Sequence, residues 1–198
     1  MAFGFAAGMM VMAASQNTKG HAKNAENAKA AFPKEALTEA ELKRLYKDRC
    51  LEPDAIFCWE LNKVITSSDW WGDAGPEIRR KVRFFEVPVM EGELHDAIAG
   101  ARNPNSFLQM LQLEANPDDF VVVKLDIDTP AIEQTIIATI TQRPDLAALI
   151  DELFFEYHFH FDGLNFGWGS VPEPISVDAA LATMHRLREL GIRAHFWI

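Results

Sequence analysis

Carboxylates and imidazoles recur at every second position near the ends of two apolar runs, Phe120-Val-Val-Val-Lys-Leu-Asp-Ile-Asp128 and Leu153-Phe-Phe-Glu-Tyr-His-Phe-His160. Successive side chains of an extended strand point to opposite faces, so Lys124, Asp126 and Asp128 share one face and Val123, Leu125 and Ile127 the other. In the second run Glu156, His158 and His160 fall on one side, with Phe155, Tyr157 and Phe159 opposite. A strand that is apolar until its C-terminal end is the pattern of a central parallel strand emerging into a ligand crevice. The chemistry is therefore expected at these strand ends. His158, with Glu156 as an orienting neighbour, is the candidate general base.

The elements that must position these groups follow in regular order. Thr38 and Glu41 have capping-box spacing, and Leu42, Leu45 and Tyr46 recur at helical intervals to about Arg49. Ala55-Ile-Phe-Cys-Trp-Glu60 reads as a strand ending in an acid. A helix is predicted to begin near Pro76, and Arg83 to Val89 is the next strand, its Pro88 suggesting an edge position or strand end. A helix or helical turn spans Asn105 to Leu113. Strand 120–128, a helix from Pro130 to about Gln142, a helical piece to Ile150 and strand 153–160 come next. Ser176 to Leu190 is amphipathic and closed by Gly191, and Ile192 to Ile198 is the last strand. Strands alternating with helices predict an α/β layer fold with right-handed crossovers.

Composition limits the partners. A chain of 198 residues, 48% hydrophobic and 24% charged, is long enough for one full-sized core. A net charge of -10 and no basic stripe argue against nucleic acid or an anionic membrane surface as a general partner. Cys50 and Cys58 have no zinc-type spacing and read as reduced, small apolar fillers, which favours a cytoplasmic location. Residues 1–36 divide from 37–198. The first fifteen are apolar, too short to span a bilayer and without a basic n-region; they read as a buried or partner-facing helix, a ragged start, or an anchor or signal remnant. Gln16 to Lys34 reads as a linker.

The segments DFVVVKLDIDTPAIE (Asp119 to Glu133), LIDELFFEYHFHF (Leu149 to Phe161) and LATMHRLRELGIRAHFWI (Leu181 to Ile198) resemble the C-terminal half of the FkbM-type S-adenosylmethionine-dependent methyltransferases and their eukaryotic relatives. Those enzymes show a VVK-[ILM]-D-[IV]-E-G strand, a D-E-[IL]-F-[FLV]-E-x-H strand and a closing helix and strand of the LR-x-x-G-[IV]-x-x-H-x-W kind. AIFCWELN (Ala55 to Asn62) resembles their second strand, whose terminal acid binds the cofactor ribose. The resemblance implies an α/β, Rossmann-like class I methyltransferase sheet over 37–198, with helices on both faces. It implies S-adenosylmethionine as cofactor, with Glu60 and Asp126 as cofactor-binding residues and methyl transfer to a hydroxyl or similar acceptor on a small-molecule substrate. Asp128, His160 and Trp168 are expected to contact the acceptor, and Gly163 to Pro174 to cover it.

Two departures from the family pattern stand out. No first strand with a glycine-rich turn is visible, because Gly4 and Gly8 have no room for a strand before them. Asp128-Thr129-Pro130 also stands where Glu-Gly is usual. The first strand is therefore expected to be missing or replaced, through truncation, substitution, or a domain that kept the architecture and lost the cofactor. Two rival readings follow from the residues. Asp126-Ile-Asp128 is also a D-x-D pattern of the kind that holds a divalent cation against a sugar-nucleotide diphosphate, and with Glu156, His158 and His160 alongside it could build a metal site. A catalytically degenerate interaction domain would instead use Trp70, Trp71, Phe166 and Trp168 as a partner patch.

Overall fold

A computed structural model describes residues 9–15, 53–60, 67–71, 74–89, 106–158 and 176–197. Their elements in chain order are β1 (Met9–Ser15), β2 (Ala55–Trp59), α1 (Ser67–Trp71), α2 (Pro76–Arg79), β3 (Val82–Phe85), α3 (Phe107–Glu114), β4 (Asp119–Leu125), α4 (Pro130–Gln142), α5 (Pro144–Ala147), β5 (Glu152–Glu156), α6 (Val177–Glu189) and β6 (Arg193–Trp197). The architecture is α/β, and the strands form one sheet in the order β3-β2-β1-β4-β5-β6. The pairs β2–β3, β4–β5 and β5–β6 are parallel, while β1 runs antiparallel to both β2 and β4. Five strands thus point one way and one central strand points back.

The N-terminal segment differs most from expectation. Met9–Ser15 is neither a helix nor a segment outside the domain: it is an internal strand with a neighbour on each side. A strand in the middle of a sheet covered on both faces takes a continuous apolar run, so the absence of alternation in MMVMAAS is compatible with this place. It lies between β2 and β4 and runs opposite to both.

Alternation along the parallel strands separates two apolar layers. Phe57 and Trp59 of β2, Val121, Val123 and Leu125 of β4, and Leu153 and Phe155 of β5 face α3, α4, α5 and α6. Ile56, Cys58, Phe120, Val122 and Phe154 face the other way, where Trp71, Ala74 and Ile78 of the α1–α2 region pack. Helices therefore lie on both faces. Trp71, a candidate for a partner patch, is buried in this second layer, and Cys58 is a buried thiol in β2.

Local signals account for the helices. α4 starts on Pro130, whose fixed φ suits a first-turn position and whose missing N–H costs nothing there. Its apolar face is Ile136, Ile137 and Ile140. α6 is capped by Ser176, whose hydroxyl accepts from the Ala179 N–H at 3.1 Å. It is closed by Gly191 at φ 93°, a left-handed position that glycine takes without steric cost. β3, with Pro88 just beyond it, is an edge strand. Among the described residues no helix is long and apolar enough to cross a membrane.

Candidate active site

β4 and β5 are parallel and in register, Lys124 beside Phe154 and Leu125 beside Phe155, so their C-terminal ends emerge together. Both ladders stop before the alternating pattern does: β4 ends at Leu125 and β5 at Glu156, where the sequence predicted 128 and 160. The backbone has to leave the sheet at this point to reach α4. It turns through Asp128, which adopts φ 51°, a left-handed conformation that aspartate tolerates better than most side chains.

Six titratable side chains converge at these ends, Lys124, Asp126, Asp128, Glu133, Glu156 and His158. Lys124 donates through Nζ to Asp126 Oδ2, and both side chains are nearly buried. Glu156 hydrogen-bonds Asp126 and is pushed up to about 9, first by burial and then by that bond and the Asp126 charge. On the other side of the β4 end lies Glu133, which α4 carries on its buried face. Its Oε1 accepts from the Ile127 N–H at 2.8 Å, and its Oε2 stands 3.1 Å from His158 Nε2. Burial raises the Glu133 pKa, while the His158 contact and the Ile127 N–H oppose the rise. His158 is itself buried, and its Nε2 stands 3.7 Å from Glu156 Oε2.

The base candidate therefore has a nearer partner than the Glu156 that spacing suggested. The distance favours Glu133, and the two contacts of its carboxylate tie the start of α4 to both strand ends. Asp128 approaches the same point, and one ligand-type atom each from Asp128, Glu156 and His158 lie within 4.8 Å of one another. Asp126, Asp128, Glu156 and His158 are thus brought together. His160 and Trp168, with the expected covering stretch 163–174, lie outside the described residues, as do Phe166, Cys50 and the helix predicted over 38–49.

Glu60 completes the rim from the far side of β1. Trp59 is opposite Met9 and Lys124 opposite Met10, so Trp59 and Leu125 stand level across the reversed strand. Glu60 and Asp126, one residue further on, leave the sheet at the same edge. They also follow the same alternation, that of Ile56 and Cys58 on one strand and Val122 on the other. Two strand spacings separate them, about 10 Å. Glu60 is buried, and its N–H donates to the Phe85 carbonyl at 3.0 Å.

Sequence reasoning missed two members of the site. Glu133 shares a helix face with Ile136, Ile137 and Ile140, at three, four and seven residues; an acid on an apolar stripe is the signal that could have found it. Lys124 was placed on the correct strand face but given no role. Its Nζ also lies 4.9 Å from the centroid of the Trp197 ring, which fixes the ammonium between β4 and β6. A small apolar concavity lined by Phe57, Trp59, Met110 and Leu111 belongs to the opposite face, away from these acids.

No protein-family model matches this chain, and neither does any curated protein or solved structure.

Proposed function

We propose that the chain binds a nucleoside cofactor of the S-adenosylmethionine type at the C-terminal edge of its parallel strands and transfers the methyl group to a hydroxyl or similar acceptor on a small molecule. The observation that supports this most is the placement of Glu60 and Asp126, level with each other on one face of the sheet. They flank the point where the strand order reverses, which is where open α/β sheets take their ligands. The motif resemblance supplies the cofactor class.

In this reading Glu60 accepts hydrogen bonds from the two ribose hydroxyls, and Asp126 faces the methionine portion. Methyl transfer is a displacement at a sulfonium centre: the acceptor oxygen bonds to the methyl carbon as the carbon–sulfur bond breaks. The acceptor proton leaves to a base. The protein's part is alignment and removal of that proton. His158, held by Glu133, takes the proton, while Asp128, His160 and Trp168 are the acceptor-side residues.

Calorimetric titration with S-adenosylmethionine and S-adenosylhomocysteine tests the proposal. Micromolar binding to the native chain, lost in Glu60→Ala and in Asp126→Ala, is the expected result. No heat at millimolar ligand would sink it and leave a fold that serves as a binding module.

A further inference from the structure

We propose that Asp128, Glu156 and His158 form a binding site for one divalent first-row cation, of the Mn²⁺ or Zn²⁺ class, at the mouth of β4 and β5. The donors come from three separate places: the turn after β4, the last residue of β5, and the extended residue two beyond it. An imidazole distinguishes the group from an ordinary patch of surface acids. His158 is buried, and its Nε2 faces two carboxylates, Glu133 at 3.1 Å and Glu156 at 3.7 Å.

The geometry needs little adjustment. Oxygen and nitrogen donors sit about 2.0–2.2 Å from such ions, so they stand at most about 4 Å apart. Ligand atoms already within 4.8 Å of one another need to close by only about 1 Å to reach that. Two carboxylates with one imidazole suit Mn²⁺ or Zn²⁺ better than the all-oxygen shells that Ca²⁺ and Mg²⁺ prefer.

The surroundings complete the argument. Glu133 Oε2 and Glu156 Oε2 both face His158 Nε2, at 3.1 and 3.7 Å, so Glu133 adds a further carboxylate beside the three donors. Four carboxylates, Asp126, Asp128, Glu133 and Glu156, converge with Lys124 and His158, and the ammonium is engaged by Asp126. A dication offsets the surplus of negative charge that remains.

The site stands on this geometry and does not depend on the cofactor. Its use does rest on the methyl-transfer reading: an acceptor hydroxyl coordinated to the ion would lose its proton far more readily. The acceptor class this names is a hydroxyl compound able to ligate a metal through oxygen.

Titration of the full chain with MnCl₂ alone, followed by calorimetry and by the loss of the free-ion electron paramagnetic signal, tests the site. One saturable equivalent is expected, weakened roughly tenfold or more in Asp128→Asn, Glu156→Gln and His158→Gln, and unchanged in Glu60→Ala. Circular dichroism checks that each variant folds; if His158→Gln does not, Asp128→Asn and Glu156→Gln decide. No saturation by about 1 mM Mn²⁺, or binding that survives the substitutions, overturns the proposal. Mn²⁺ binding without S-adenosylmethionine binding would retain the site and remove the methyl-transfer reading; the reverse would do the opposite.

Discussion

Replacing Glu156 by glutamine tests whether the crevice holds a proton between two carboxyl groups. The Glu156 pKa rises from 4.5 to about 9, first through burial and then through the hydrogen bond to Asp126 and the charges of Asp126, Asp128 and Glu133. The unfolded chain releases this proton near the lower value and the folded protein keeps it to the higher one. Below the window both states hold the proton, and the group has no effect. Within the window folding takes up one proton, so stability falls as pH rises, by about 1.4 kcal/mol per unit. Above the window both states are ionised and the whole penalty is in place. The side chain is 25% exposed, so solvent screening narrows the window without changing the slope. If about half the shift survives screening, roughly two pH units, the penalty is about 3 kcal/mol. In a chain of this length that lowers Tm by about 6–12 °C. Glutamine cannot ionise, yet its amide still donates to Asp126. Melting curves followed by circular dichroism, with a chelator and at fixed ionic strength, should therefore separate as pH rises from about 5 to about 8, native falling below Glu156→Gln. Curves that stay parallel would mean that Glu156 is already ionised at the acid end, and the shared proton would have to be abandoned.

The remaining predictions use the same site and sheet. Glu133→Ala leaves the Ile127 N–H and His158 without their carboxylate and should cost about 3–5 kcal/mol in urea denaturation, whereas Glu133→Gln keeps an acceptor for Ile127 and should cost about 1–2. Equal losses in the two variants would assign the whole effect to charge. Val11 pairs with Phe57 on one side and Val123 on the other, so Val11→Pro removes a ladder donor from an internal strand and should cost about 3 kcal/mol. A variant within about 1 kcal/mol of native would argue against that strand. Arg143→Ala breaks the exposed pair with Asp145 and should change stability by less than about 1 kcal/mol, giving the scale of a surface pair.

The parallel part of the sheet was legible because its signals are local. Glu60 closes an apolar run, Pro130 opens α4, and Gly191 closes α6; each acts within its own segment. What escaped depends on contacts between segments. β1 has the composition of an apolar tail, and its strand state comes from two neighbours more than forty residues away, so no periodicity announces it. The alternation that placed Asp128 and His158 on faces runs past the hydrogen-bonded ladders, so it gave the correct side for Lys124 and Asp126 but overran both strand ends. His158 is therefore held by a helix residue rather than by its strand neighbour. Glu133 was legible in principle, but only to a reading that treats an acid on a buried helix stripe as needing a partner.

The reversed β1 changes what kind of ligand the crevice can hold. In open dinucleotide-binding sheets the first strand ends at the crevice, and the turn that follows it brings backbone N–H groups to an anionic phosphate. Here the end of β1 at the crevice is Met9, its beginning, and Ser15 lies at the opposite edge beside Asp119. The C-terminal end of β1 therefore lies away from the site. The described rim offers Glu60, Asp126, Asp128 and Glu133, with Lys124 already engaged by Asp126. Such a rim repels a naked diphosphate and attracts a positive centre. That weighs against a sugar-nucleotide or dinucleotide bound by its phosphates alone, and it suits a cofactor whose reactive atom is a sulfonium cation. The same field draws a divalent ion to the β4 and β5 ends, so the two proposals share one electrostatic cause while remaining separable at Glu60, which belongs to the first and not the second.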